Sequence, residues 1–174
     1  PSPVSAALSA LVVKGSLFVV VRLFLDVMPA GYLGGADTVL GVLGAAAIVW
    51  GSLQALVQTR LKLLVAYSTV AQVGYLFMLF PLARSGDEVL SLAFLGMLVH
   101  AMSHGLAKAS MFLAAGVVLK RYGHDRIAEL GGAARRAPVL AATFALAGVT
   151  MMGLPPSGGF GAKWLIASAS MKPL

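Results

Sequence analysis

Leu98-Val99-His100-Ala101-Met102-Ser103-His104-Gly105-Leu106-Ala107-Lys108-Ala109-Ser110-Met111-Phe112 is the stretch from which the rest of the chain is read. It lies inside a long apolar run, yet carries three basic side chains at i, i+4 and i+8. Each step of four residues turns an α-helix by about 400°, so His100, His104 and Lys108 share one face and cover roughly 12 Å of its axis. Ionisable residues in hydrocarbon cost several kcal/mol and normally face a bundle interior or a wet cavity. One such histidine is compatible with a hydrogen-bonded packing role. Three on one stripe look like a path for a charge.

Composition places this helix in a membrane. The 174 residues are 59% hydrophobic and 11% charged, with mean hydropathy +0.92, whereas a soluble domain carries roughly 25% charged residues. The expected fold is an all-α, polytopic transmembrane helix bundle with the lipid bilayer as its first partner. The net charge of +7 is not a nucleic-acid footprint, because the basic residues are divided between loops and helix interiors without interleaved aromatics. The sequence contains no cysteine, which excludes disulfides, iron–sulfur clusters and thiolate metal sites within this chain. No signal peptide is visible. The opening Pro1-Ser2-Pro3, without Met, leads directly into a helix, so further chain is expected upstream.

Five spans are expected: about 4–27, 38–58, 63–80, 89–119 and 138–171. Pro3 suits the start of the first, which Pro29 and Gly31 end. Lys14 falls near its middle, too deep to snorkel easily, whereas Arg22 can reach the interface. Asp37 and Thr38 offer an N-cap for the second span, whose Gly41, Gly44 and Gly51 permit close helix contact. The turn 58–62 is so short that the third span must run antiparallel to the second. Tyr67, Ser68, Thr69, Gln72 and Tyr75 give the third span a side too polar for lipid. The fourth span exceeds the ~20 residues needed to cross and should tilt or protrude. Residues 120–136 are polar and interfacial. The fifth span meets Gly153-Leu-Pro-Pro-Ser-Gly-Gly159, where Pro155, Pro156, Gly158 and Gly159 should break it at bilayer depth. A half-helix with Lys163 in its first turns follows. Broken helices at that depth are tolerated only against protein or water, and in transporters they mark binding sites.

Lys and Arg fall mainly on alternate loops, with Arg84 the contrary residue. The positive-inside rule then puts the N-terminus and the loops 59–62 and 120–136 in the cytoplasm, with the C-terminus opposite. All six carboxylates occupy span ends or loops, whereas Lys14, His100, His104, Lys108 and Lys163 lie within spans. Hydrocarbon favours the neutral form of such bases, so a row of them can load and release protons. Ser9, Ser103, Ser110 and Gln72 are candidates to bridge water between them. No carboxylate inside the spans balances the row. Several of the bases therefore stay neutral, or a carboxylate comes from missing chain or another subunit. Metal binding is the rival use of His100 and His104, but the pair needs a third ligand and Lys108 is a poor one. No Gly-x-Ser-x-Gly elbow, positioned acid or phosphate loop supports a catalytic or cofactor-binding reading.

The motifs Pro1-Ser-Pro-Val-Ser-Ala6, Ala55-Leu-Val-Gln-Thr-Arg-Leu-Lys-Leu-Leu-Val-Ala-Tyr-Ser-Thr-Val-Ala-Gln-Val-Gly-Tyr75, His100-x3-His104-x3-Lys108 and Gly153-Leu-Pro-Pro-Ser-Gly-Gly-Phe-Gly-Ala-Lys163 resemble one family. It comprises the antiporter-like, proton-translocating membrane subunits of respiratory complex I, related hydrogenases and Mrp-type cation/proton antiporters. The resemblance implies about fourteen helices in two inverted repeats, of which this chain supplies roughly the eighth to the twelfth. It gives Lys14 the place of the central lysine of the eighth helix and His100, His104 and Lys108 that of the eleventh-helix proton path. Lys163 takes the place of the broken-helix lysine near the exit half-channel. Lys62 matches the lysine of the family's Gln-Thr-x-x-Lys stretch, and a plain positive-inside anchor explains it equally well. The glutamate–lysine pair of the first repeat lies upstream of Pro1.

Two parent proteins are implied. One is a proton-conducting membrane subunit of an NADH–quinone-type oxidoreductase in the bacterial inner membrane, in which other subunits carry the redox chemistry. The other is a Mrp-type monovalent cation/proton antiporter component moving protons and sodium. Both are hetero-oligomers of membrane subunits. A non-conducting structural bundle would explain the spans but not five buried bases on them.

Overall fold

The computed structural model describes residues 2–27, 35–83 and 85–172. The expectations resting on Pro1, Pro29, Gly31 and Arg84 fall outside these residues. Six principal helices follow one another: α1 (Ser2–Val27), α2 (Ala36–Leu56), α3 (Leu61–Leu82), α4 (Asp87–Tyr122), α5 (Pro138–Met152) and α6 (Gly158–Ser170). The first four are long and apolar enough to cross a membrane, and α5 is a shorter apolar helix. No strand occurs among the described residues, only an isolated antiparallel bridge between Arg60 and Arg126. The chain is an all-α, multi-pass integral membrane bundle. Its outer surface agrees, with Leu11, Trp50, Met102, Leu106 and Leu146 all largely exposed.

Helices α2 and α3 form a close antiparallel pair because small residues let their backbones meet. A β-carbon at Gly51 would fall 2.5 Å from the Ala71 nitrogen, and one at Gly74 would fall 2.5 Å from the Gly44 oxygen. Helix α2 does not begin on an Asp37 or Thr38 cap. Its N-cap is Gly35, in the left-handed region at φ 108°, and Asp37 lies buried in the first turn. Asp37 followed by Thr38 has the composition of a cap, but a glycine shortly before them can take the turn that no residue with a β-carbon takes easily.

Helix α4, at about 1.5 Å per residue, is far longer than a ~30 Å hydrocarbon core, and α5 and α6 together run back along it. At one end Lys172, beyond α6, pairs with Glu88. At the other, Leu140 and Phe144 of α5 share a crevice with Val118 and Tyr122. Gly153 (φ 79°) ends α5 in a left-handed cap, the Pro155–Pro156 peptide is cis, and the Ser157 hydroxyl accepts from the Phe160 amide at 3.2 Å to start α6. Gly159 is required by closeness, since a β-carbon there would meet the Thr150 carbonyl oxygen at 1.8 Å.

Two apolar clusters fill the interior. Leu17, Val21, Phe24, Leu76, Leu79, Phe80, Val89, Ala93, Met97 and Ala169 form one, with Phe24 and Phe80 edge to face at 5.0 Å. Ala6, Val65, Ala107, Met111, Phe112, Ala147 and Met151 form the other. The residues between these groups on each helix are Lys14, Gln72, His100 and His104, which form a polar layer between two apolar ones.

Candidate functional site: a buried row of bases

Helix α3 organises the polar layer. Val65, Ser68, Thr69, Gln72 and Tyr75 follow the i, i+3, i+4, i+7 spacing of one helical face. Their groups meet α1, α4 and the α5–α6 break. Two backbone carbonyls act as junctions. The Val65 oxygen accepts from Lys108 Nζ at 2.7 Å, Ser68 Oγ at 3.0 Å and Thr69 Oγ1 at 3.2 Å. Lys108 also donates to Ser68 Oγ at 2.5 Å. Thr69 in turn lies 3.1 Å from Ser9 Oγ, and the Ser9 carbonyl accepts from Lys14 Nζ. Lys14 on α1 and Lys108 on α4 are thus linked through Ser9, which uses its carbonyl towards Lys14 and its hydroxyl towards Thr69, and through the Val65 oxygen on which Thr69 and Lys108 meet.

The second junction is the Met151 carbonyl at the end of α5. It accepts from Gln72 Nε2 at 3.2 Å and from Lys163 Nζ at 3.0 Å, and Lys163 also reaches the Met152 oxygen at 3.3 Å. These carbonyls end a helix, where the backbone dipole favours a cation. The Lys163 amine lies 4.6 Å from the centre of the Tyr75 ring, a second group that prefers positive charge. The Tyr75 ring is 5.8 Å from that of His100. His100 Nε2 donates to the Gln72 carbonyl at 3.2 Å. A carbonyl only accepts, so in neutral His100 this bond puts the proton on Nε2.

Between the two halves stands His104. It is 2% exposed, and neither ring nitrogen has a partner among the described residues. Its ring stacks on His100 with centroids 5.8 Å apart and planes 8° from parallel. It lies in electrostatic range of Lys14, Lys108 and Lys163. Lys108 is completely buried. Among the described residues the ion pairs all lie towards the bundle ends: Arg22 with Asp26, Arg60 with Asp125, Glu129 with Arg126 and His124, and Lys172 with Glu88.

The structure thus brings Lys14, His100, His104, Lys163 and Gln72 into the polar layer, with Lys108 one turn further along α4 beside Val65 of the second apolar cluster. Ser103 lies off it, donating to the Val99 carbonyl at 2.5 Å and packing near Gly158. Ser110 likewise donates to its own helix, at the Leu106 carbonyl. Lys62 sits at the start of α3, lining a cavity of about 420 Å³ with Arg60, Asp125, Ser9 and Thr69. That cavity runs from the loop end of the bundle to the Ser9–Thr69 pair. Sequence reasoning missed the Thr69 link and the facing of Tyr75 onto Lys163. The polar stripe on α3 was the available signal, but its partners lie 28 to 79 residues away in sequence. No group of three or more His, Cys, Asp or Glu residues capable of holding a metal occurs among the described residues.

The described residues thus form an all-α membrane bundle with hydrogen-bonded bases at its centre and an interrupted helix beside them. A family model described as "NADH:quinone oxidoreductase/Mrp antiporter, TM" matches residues 1–173, and the chain belongs to that family. It is 37% identical over 167 residues to NADH-quinone oxidoreductase subunit N of Desulforudis audaxviator, covering 95% of this chain and 32% of that protein. It is 29% identical to a Na(+)/H(+) antiporter subunit of Bacillus subtilis, covering 99% of this chain and 22% of that one. Among solved structures, a chain of the membrane-bound sulfane sulfur reductase, an archaeal respiratory membrane complex, superposes with a TM-score of 0.85 at 28% identity, over 98% of this chain and 34% of that one. The chain therefore spans about a third or less of the proteins it matches.

Proposed function

We propose that this chain forms part of a proton-conducting membrane subunit of a quinone-reducing oxidoreductase complex, and that the buried row carries the proton. The observation that carries the reading is the division of the row into two hydrogen-bonded halves with His104 between them. Lys14 and Lys108 are joined through Ser9, Thr69 and the Val65 carbonyl. His100 and Lys163 are joined through Gln72 and the Met151 carbonyl. In this reading the His104 ring, stacked on one half, one turn from Lys108 and without a partner among the described residues, receives a proton from either side. The two central lysines, Lys108 and Lys163, donate to neutral groups, so no carboxylate among the described residues locks their charge. The cavity ending at Ser9 and Thr69 gives the Lys14 half an approach from the basic end of the bundle. By the positive-inside rule that end, with the N-terminus, lies in the cytoplasm.

A second reading, a component of a monovalent cation/proton antiporter, is supported by the likeness to the Na(+)/H(+) antiporter protein. It uses the same row. Iron–sulfur subunits encoded alongside the gene would favour the oxidoreductase, and a cluster of small hydrophobic subunits the antiporter.

The test is proton pumping in vesicles bearing the intact parent protein, normalised to assembled complex. Lys108→Met keeps the stem and removes the proton-binding group, so pumping should fall to background. Lys108→Arg holds its proton at any accessible pH and should fail as well. If Lys108→Arg pumps like wild type, Lys108 exchanges no proton and the proposal is wrong.

A further inference from the structure

At the basic end of the bundle, the start of α5 makes a site unrelated to the row. A crevice of about 160 Å³ opens between α3, α4 and α5, lined by Leu61, Val118, Tyr122, Ala134, Leu140 and Phe144. Its lining is apolar apart from Tyr122, whose hydroxyl is buried and has no hydrogen-bond partner among the described residues. Above it lies the single turn Ala133–Arg136, whose last two residues are Arg135 and Arg136. Arg121, from the last turn of α4, donates to the Arg136 carbonyl at 3.2 Å, which draws a third arginine to the same rim. The acids of this segment are engaged elsewhere, Asp125 with Arg60 and Glu129 with Arg126 and His124. Helix α5 begins at the rim with Ala137 as N-cap and no side-chain cap, so the positive end of its dipole is open.

We propose that this is a binding site for one anionic phospholipid, with the phosphate on Arg121, Arg135 and Arg136 and part of an acyl chain in the crevice. Arginine suits phosphate because its planar fork donates two parallel hydrogen bonds. The α5 N-terminus adds favourable field, and the Tyr122 hydroxyl supplies a donor towards the glycerol esters. The apolar walls distinguish a lipid from a free anion, for which an oily crevice has no use. A uniform attraction to a charged surface would involve every exposed base equally; this site involves only those at the rim.

The experiment uses the intact parent protein, delipidated in detergent and supplied with phosphatidylglycerol or phosphatidylcholine, with bound lipid counted by native mass spectrometry. Wild type should retain one phosphatidylglycerol in preference to phosphatidylcholine. Arg121→Gln with Arg135→Gln and Arg136→Gln removes all three phosphate donors and should weaken that retention about a hundredfold. Ala134→Leu, which fills the crevice and changes no charge, should also weaken it, as should Tyr122→Phe to a smaller degree. Lys120→Gln removes an exposed charge next to the site and should leave retention unchanged. Equal retention of both lipids by wild type would overturn the site. So would an Ala134→Leu variant that binds normally, or a Lys120→Gln loss equal to the triple variant's, since either leaves only diffuse surface charge.

Discussion

Fully buried, and donating to the Val65 carbonyl and the Ser68 hydroxyl, Lys108 is hydrogen-bonded without being neutralised. That distinction matters for a proton carrier. A carboxylate neighbour would stabilise the ammonium strongly and resist deprotonation, whereas neutral oxygens serve an amine in either state. Lys163 differs in its surroundings, because its amine meets two carbonyls at a helix end and the face of Tyr75. The ring interaction is worth about 0.5–2 kcal/mol. Tyr75→Phe keeps the π face and should translocate protons like wild type, while Tyr75→Leu should slow the rate several-fold at equal assembly. A Phe variant as slow as the Leu variant would assign the role to the hydroxyl instead. The shared face of His100, His104 and Lys108 was legible in the sequence, because a spacing of four is close to one helical turn. The Tyr75–Lys163 and Thr69–Ser9 contacts were not, because each needs the relative rotation of two helices distant in sequence.

Among the elements, the pair α5–α6 was legible as an interrupted helix from Gly153, Pro155, Pro156 and Gly159. What the composition did not indicate is how closely the halves approach. Gly159 abuts the Thr150 carbonyl, and the Met151 and Met152 carbonyls are left to Lys163. Gly159→Leu should force the halves apart, cost about 1–3 kcal/mol as overpacking does, and lower transport more than Gly158→Leu. At Gly158 the added atom first meets the small Ser103 side chain at 3.0 Å. The check compares resistance to unfolding in mild detergent with pumping for the two variants; equal behaviour would mean that the close approach at Gly159 has no special weight. The glycines of α2 were legible as contact residues, whereas their pairing with Gly74 and Ala71 depends on register and emerges only in the folded pair.

For the whole molecule, charge divides the bundle into two unlike ends. Arg60, Lys62, Lys120, Arg121, Arg126, Arg135 and Arg136 gather at one end, where the loops are tied by backbone bonds from Leu61 to the Asp125 oxygen at 2.8 Å and from Ile127 to the Thr59 oxygen at 2.9 Å. Asp26, Asp37, Asp87 and Glu88 lie towards the other. Loop charge made this asymmetry readable along the chain, but nothing in it announced that the two basic loops bond to each other. Cysteines placed at Ser85 and Ala128 should be labelled from opposite sides of the membrane by an impermeant reagent, Ala128 from the cytoplasm. Labelling from the same side would refute the orientation and the number of crossings together.

Helix α1 contains π turns at Leu8–Val12 and Leu23–Val27, and the first sets its phase. In an unbroken α-helix the eight residues from Ser9 to Leu17 would advance about 800°, leaving the two side chains some 80° out of step. One residue absorbed by the π turn reduces this to about 700°, within roughly 20° of two full revolutions. That correction lets Ser9 face Thr69 while Leu17, Val21 and Phe24 face the apolar cluster beyond it. The helix behaves like a vernier, with one scale below the turn and another above, offset by one residue. Deleting Ala10 leaves a regular α-helix that again advances about 700° and keeps the phase, whereas one alanine inserted after Ala10 should rotate one scale by about 100° against the other. The protein can then seat Leu17 or Ser9, but not both. Pumping should fall in the inserted variant even where the complex still assembles, and an insertion that pumps normally would show that this phase has no part in transport.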